Sequence, residues 1–205
     1  MQCTMSLLTP LVVVLAFFLL SSTTVISDSY DGKCPSVRKD TEKACQDARG
    51  TAEGPFYELC LKTLHERFNG STYELAEYTH AATQAAAESY NRTVDFATTA
   101  LRNNHSLSGE VRAAYLECMT ESTYKSALES IDRIAALLPK NCTGLDLDYQ
   151  QASLGVGLCK DAVSKLPSPP PLLDMVKVDA SLTSVAYTLY FELVDGQPFK
   201  AGGSS

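Results

Sequence analysis

Thr72–Arg102 reads TYELAEYTHAATQAAAESYNRTVDFATTALR, 31 residues without a glycine or a proline. Its apolar positions Leu75, Tyr78, Ala82, Ala86, Tyr90, Val94, Ala97 and Leu101 step by three or four. That spacing lays them on one face of a helix. Ser71, with Glu74 three residues on, has the form of a capping box, and Asn103-Asn104 breaks the run. A 31-residue helix with one apolar face must bury that face against other elements.

The same period recurs three times downstream. A second helix is expected from about Ser108 to Leu138, with Val111, Tyr115, Cys118, Tyr124, Leu128, Ile131, Ala135 and Leu138 inward. Pro139 and the segment PKNCTG end it. A third is expected from Asp148 to Lys165, through Ala152, Val156, Cys159, Val163 and Leu166. Gly155 and Gly157 lie inside it; each costs about 1 kcal/mol against Ala or marks close helix packing. Pro167-Ser168-Pro169-Pro170-Pro171 is a stiff connection. A fourth helix is expected from Asp174 to Leu193, with Met175, Val178, Leu182, Val185 and Leu189 inward. Four amphipathic helices with short connections predict an all-α chain built as an up-down four-helix bundle. Upstream, Ser36–Ala48 and Phe56–Arg67 flank a break at Gly50–Pro55 and predict a short helical hairpin.

The amino terminus is different. Met1–Ser27 holds no charged residue, and Leu11–Leu20 is the apolar run LVVVLAFFLL. Ten apolar residues fall short of the roughly 20 that span a bilayer, and suit the core of a secretory signal peptide. No Lys or Arg precedes the run, a departure from the usual pattern. Cleavage after Ser27 is expected, so the organisation is a signal peptide 1–27, a hairpin extension 28–68, a bundle 69–196 and a flexible tail 197–205. The closing AGGSS carries no hydrophobic extension, so a lipid-anchor signal is not expected.

Removing Cys3 with the leader leaves Cys34, Cys45, Cys60, Cys118, Cys142 and Cys159, an even set that fits an oxidising compartment and leaves the pairing open. Sequons begin at Asn69, Asn91, Asn104 and Asn141, so some glycosylation is expected, each occupied Asn facing solvent.

A formal net charge of −7 weighs against a nucleic-acid partner and suits a basic one. His65, His80 and His105 have no ligand spacing, so no metal site is expected. There is no G-x-S-x-G elbow and no Walker loop, and His65-Glu66 lacks the second His of a metalloprotease. Gly155-Val156-Gly157 lacks the third glycine of a dinucleotide site. The pairs Asp146/Asp148 and Glu117/Glu121 read as solvated helix faces. Tyr73, Tyr78, Tyr90, Tyr115, Tyr124 and Tyr149 read as packing residues. The expectation is a non-enzyme without a cofactor, whose function is a surface.

Five segments carry a family resemblance: KAC ending at Cys45, YELCLKTL around Cys60, AAYLEC ending at Cys118, GLCKDAV around Cys159, and VDASLTSVAYTL at 178–189. In order and spacing, over Lys43–Val194, they resemble the plant invertase and pectin methylesterase inhibitors. The resemblance implies a disulfide-closed hairpin before a four-helix bundle, with bridges Cys45–Cys60 and Cys118–Cys159. The first would close a loop of about 16 residues and stabilise it by about 3 kcal/mol in the chain-entropy model. Cys34 and Cys142 stand outside that frame, either as a third bridge between the extension and the loop after the second bundle helix or unpaired. Invertase-directed members often carry Pro-Lys-Phe in this region; here Pro139-Lys140 is followed by Asn141, which weighs against invertase.

What the resemblance implies for function is a secreted, apoplastic inhibitor that occludes the active-site cleft of a cell-wall enzyme, pectin methylesterase before acid invertase. A non-inhibitory secreted helical protein is the other reading. The face expected to meet the enzyme is that of the second and third bundle helices, through Glu117, Glu121, Lys125 and Glu129 on one and Asp148, Gln151 and Lys160 on the other.

Overall fold

The computed structural model describes residues 32–49, 54–70, 72–103, 107–168 and 170–196. The expected leader and its cleavage site, Ser71, the sequon at Asn104 and the tail 197–205 lie outside the described residues.

The chain first forms a two-residue strand, β1 (Arg38–Lys39), then α1 (Thr41–Arg49) and α2 (Pro55–His65). Strand β2 (Tyr73–Glu74) leads into α3 (Leu75–Asn103). Next come α4 (Gly109–Cys118), a π turn (Glu121–Lys125), α5 (Ser126–Leu137), α6 (Asp146–Ser164) and α7 (Pro171–Asp195). The bundle helices are α3, the broken α4–α5 pair, α6 and α7. Each packs beside its sequence neighbours, and α7 closes the ring on α3. The all-α four-helix bundle preceded by a helical hairpin is therefore the observed architecture.

Three expectations are corrected. First, α1 begins at Thr41, not Ser36, and α3 at Leu75, not Thr72, because β1 and β2 pair antiparallel, Arg38 opposite Glu74 and Lys39 opposite Tyr73. The Val37 carbonyl accepts from Leu75 N at 2.7 Å, and Asp40 Oδ1 caps α1 by accepting from Lys43 N at 2.6 Å. Glu74 is thus a strand residue rather than a capping-box acid. Glu77 reaches back instead, its Oε2 accepting from Glu74 N at 3.1 Å.

Second, the second bundle helix is not continuous. Ser108 caps α4 through Val111 N, and α4 stops at Cys118. Thr123 then leaves helical geometry, at φ −116° and ψ −115°. Third, Val178 is not inward: it is 47% exposed, and its neighbour Asp179 is fully buried in its place. The inner stripe of α7 runs through Leu172, Val176, Asp179, Thr183, Ala186 and Tyr190, so helical phase prevails over residue type. The other terminal signals act as punctuation. Pro171 opens α7 from N1, with its φ already set, and Gly196 ends it at φ +60°.

Three disulfides join these elements. Cys45–Cys60 ties α1 to α2, Cys118–Cys159 ties α4 to α6, and Cys34–Cys142 ties the segment before β1 to the α5–α6 loop, with Cα separations of 5.8, 4.6 and 4.9 Å. The core carries fully buried Tyr78, Tyr90, Tyr124 and Tyr149. Each hydroxyl finds a partner: Thr41 for Tyr78, Thr183 for Tyr90, Asp179 for Tyr124 and Thr83 for Tyr149.

Candidate partner-binding face

The hairpin decides which side of the bundle is open. Helices α1 and α2 lie against α7, and α2 also lies against α3. Phe68 packs edge-on to Tyr78 with centroids 4.9 Å apart, and Arg67 pairs with Glu88 at 2.7 Å. Lys39 pairs with Asp47 at 2.7 Å and with Glu192 of α7, and Lys43 pairs with Asp47 at 2.6 Å. Burial pushes the Glu192 carboxyl above its ordinary range against the pull of Lys39. Burial also acts to raise Asp47, but the bonds from Lys39 and Lys43 hold it below its usual value. Glu192 Oε2 has no hydrogen-bond partner among the described residues, and Lys39 is the ion-pair partner of this carboxyl, with Lys43 a weaker favourable charge nearby. The α3–α7 side is therefore covered and clamped. Among the described residues, the hairpin helices make their main contacts with α3 and α7 and not with the outer sides of α5 and α6.

On that side the break in the second helix is held from within. Thr123 Oγ1 donates among the carbonyls of Glu117, Cys118 and Thr120, doing locally what the interrupted helix ladder would do. The Thr123 carbonyl then presses on α6 at Gly155, where a Cβ would stand 2.5 Å from it and 3.0 Å from Ala127 Cβ. Gly155 marks close helix packing, as one of its two sequence readings has it; Gly157, with nothing within 4 Å, does not. Just inside the break, Tyr124 Oη donates to Asp179, whose other oxygen accepts from Ser89 Oγ. Burial raises Asp179 above the usual carboxylate range, against the pull of these bonds and of Arg92. Burial, reinforced by the charge of Asp179, pushes the Tyr124 phenol strongly up as well.

Six large apolar side chains are exposed among the described residues, and four of them lie on α4 and α6: Leu116, Leu147, Leu154 and Leu158. Leu147, Leu154 and Leu158 are seven and four residues apart, so they form one outward stripe along α6. Leu147 is 69% and Leu154 55% exposed. Gln151 lies beside the stripe and donates to Ser126 Oγ at 3.1 Å, and Asp148 pairs with Arg133 at 3.0 Å. These two surface bonds stitch α6 to α5 beside the stripe.

The sequence-derived contact residues divide accordingly. Glu117 lies in the last turn of α4; Glu121 and Lys125 lie in the π turn, paired with each other; Glu129 is exposed on α5. Asp148 and Gln151 join α5, so their side chains are engaged within the fold. Lys160 is exposed but sits nine residues from Gln151, about half a turn round α6, and is not brought to this face. The charged residues chosen from the sequence do not include these leucines. Their signal was present: a second apolar stripe, out of phase with Ala152, Val156, Cys159 and Val163. Of the sequons, Asn69 and Asn91 are exposed on α3 or before it, and Asn141 is half-buried in the α5–α6 loop. Asn141 Oδ1 accepts from Thr143 N at 2.9 Å. None of the sequons falls on α4, α5 or α6.

No family model matches the chain, and no curated protein matches it. Solved structures are similar, among them the following two. One is mutant form A of a pectin methylesterase inhibitor from Arabidopsis, 19% identical at a TM-score of 0.56, covering 67% of this chain and 89% of that one. The other is a pectin methylesterase inhibitor from Arabidopsis thaliana, 18% identical at a TM-score of 0.51, covering 75% of this chain and 95% of that one. At such identity the likeness shows a shared all-α fold and no more.

Proposed function

We propose that this chain is a secreted inhibitor of a pectin methylesterase, acting one-to-one by covering the active-site cleft and contributing no chemistry of its own. The likeness of its fold to the two inhibitors supports the class of partner. The observation that carries the choice of surface is the Leu147–Leu154–Leu158 stripe on the side that the hairpin leaves bare. Full burial of one such leucine is worth about 1.5–3 kcal/mol, enough for a few to anchor an interface. Three disulfides and the buried tyrosines keep the face rigid, so little ordering entropy is lost on docking. The flanking acids Glu117 and Glu129 favour a basic rim on the partner.

Secretion, removal of residues 1–27 and glycosylation at the exposed sequons belong to the same reading. Cystine bridges persist in oxidising compartments, and no helix among the described residues is long and apolar enough to cross a membrane. The test is a titration of purified pectin methylesterase, with acid invertase in parallel, using the oxidised chain beginning at Asp28. Stoichiometric loss of esterase activity with the invertase untouched is expected. No inhibition from about pH 4 to about pH 8 overturns the inhibitor reading in favour of a non-inhibitory secreted protein.

A further inference from the structure

We propose that Asp179 is a proton-controlled latch on the broken second bundle helix: protonated, it keeps the π turn seated in the core, and ionised, it lets the turn open more readily. Asp179 is fully buried on α7, and the turn at 121–125 reaches it through Tyr124 Oη at 2.5 Å. Tyr124 follows directly on Thr123, the residue that departs from helical geometry. The latch therefore grips the one place where the second helix has no continuous ladder of its own.

The groups facing Asp179 are few. From α3 come Ser89, which donates to it, Thr93 beside it, Tyr90, and the exposed Arg92. From the π turn comes Tyr124, and on α7 itself Thr183 donates to the Asp179 backbone carbonyl at 2.7 Å. Arg92 is the only cation among them, and no ion pair to Asp179 is formed among the described residues. An ionised carboxylate here has hydroxyl donors and no counter-charge within contact, which is costly in a dry core.

Protonation removes the charge without orphaning a polar atom. One carboxyl oxygen still accepts from Ser89. The acid hydrogen goes to the Tyr124 oxygen, and the phenol hydrogen turns to Thr93 Oγ1, which lies against both groups. The bonds are exchanged rather than lost, so the neutral form suits the closed turn and the ionised form favours opening. The raised pKa of Asp179 points the same way. Where the α5–α6 face docks an enzyme, docking inherits this pH dependence. That consequence rests on the inhibitor reading; the latch itself does not.

The experiment needs no enzyme. The Asp179 side-chain carboxyl is followed by carbon NMR in the intact oxidised protein. Amide exchange over Glu121–Ala127 is compared between wild type and Asp179→Asn at matched pH, from about 4 to about 7. The carboxyl is expected to titrate above the ordinary value of about 3.9. Between the ordinary value and that midpoint, exchange in wild type relative to the variant should rise with pH, levelling off above the midpoint at about tenfold per pKa unit of elevation. A carboxyl that titrates at or below the ordinary value overturns the proposal, as does an exchange ratio that stays flat with pH. If Asp179→Asn does not fold, the wild-type carboxyl titration decides alone. Failed inhibition with a high titration midpoint removes the inhibitor reading only; successful inhibition with an ordinary midpoint removes the latch only.

Discussion

Gly155 of α6 lies directly against the backbone carbonyl of Thr123, so close that an added Cβ would stand 2.5 Å from that oxygen. The contact joins the irregular point of the second bundle helix to the smallest residue of the third. It lets the two helices approach at the level where Cys118–Cys159 crosslinks them and where Gln151 reaches Ser126. The bare face of the molecule is built on that close approach.

A methyl group at this position has nowhere to go. Gly155→Ala should destabilise the protein by about 1–3 kcal/mol through overpacking, despite the better helix propensity of Ala. Gly157→Ala, two residues on in the same helix and with open space around it, should instead stabilise by about 0.5–1 kcal/mol. Thermal melts of the two variants at one pH check the opposite signs. Equal effects would mean that the close contact at Thr123 is absent.

The clamp between hairpin and bundle is centred on the Lys39 ammonium. Lys39→Met leaves Glu192 buried without its counter-charge and should cost about 3 kcal/mol near neutral pH. The sign with pH follows from the shifts. Asp47 is held low, so its stabilisation is present above its unfolded pKa and is lost as pH falls through the lower folded value. Glu192 is raised, so it opposes folding as pH rises through its folded value, and the Lys39→Met defect should shrink in acid. Melting temperatures of wild type and variant across pH 4 to about 8 should converge at the acid end. Divergence there would contradict the pairing.

The helices were legible because their apolar residues repeat at helical spacing over many turns, and Tyr78, Tyr90, Tyr115, Cys118 and Cys159 fell on those same faces. Residues 38–39 and 73–74 were not legible as strands, since two residues show no period and their pairing joins positions 36 apart or less. The break at Thr123 has neither glycine nor proline; its only trace is the cluster Thr120, Ser122, Thr123, whose hydroxyls compete for backbone carbonyls. Val178 and Asp179 were read by residue type, and the phase of α7 reversed them because Ser89 and Tyr124 supply the hydrogen bonds that a buried carboxyl needs. The exposed leucines of α6 were visible as a second stripe. Sequence alone does not say which of two stripes on one helix the core takes.

The disulfides should rank by the length of chain they close. Their sequence separations are 108 for Cys34–Cys142, 41 for Cys118–Cys159 and 15 for Cys45–Cys60. In the chain-entropy model these stabilise by about 4.8, about 4 and about 3 kcal/mol. Paired Cys→Ser variants, melted one bridge at a time, should fall in that order. Non-reducing peptide mapping checks the pairing first, and Cys118 linked to any residue but Cys159 would break the geometry described for α4 and α6.

The docking face makes the sharpest functional prediction. Leu154 is more than half exposed and makes no polar contact, so Leu154→Asp should change stability by no more than about 0.5 kcal/mol. If the stripe is the anchor of an interface with a pectin methylesterase, the same change buries a charge against the partner. It should then weaken inhibition at least about tenfold, mainly through faster dissociation. Charge reversal at Glu117 and Glu129 tests the rim separately. It should slow association, and slow it less as salt rises, with dissociation nearly unchanged. Lys160→Glu, half a turn away on α6, should do neither. Stopped-flow or surface-binding kinetics on the four proteins separate these outcomes. Unaltered affinity in Leu154→Asp, alongside intact folding and intact inhibition, would move the interface off α6 altogether.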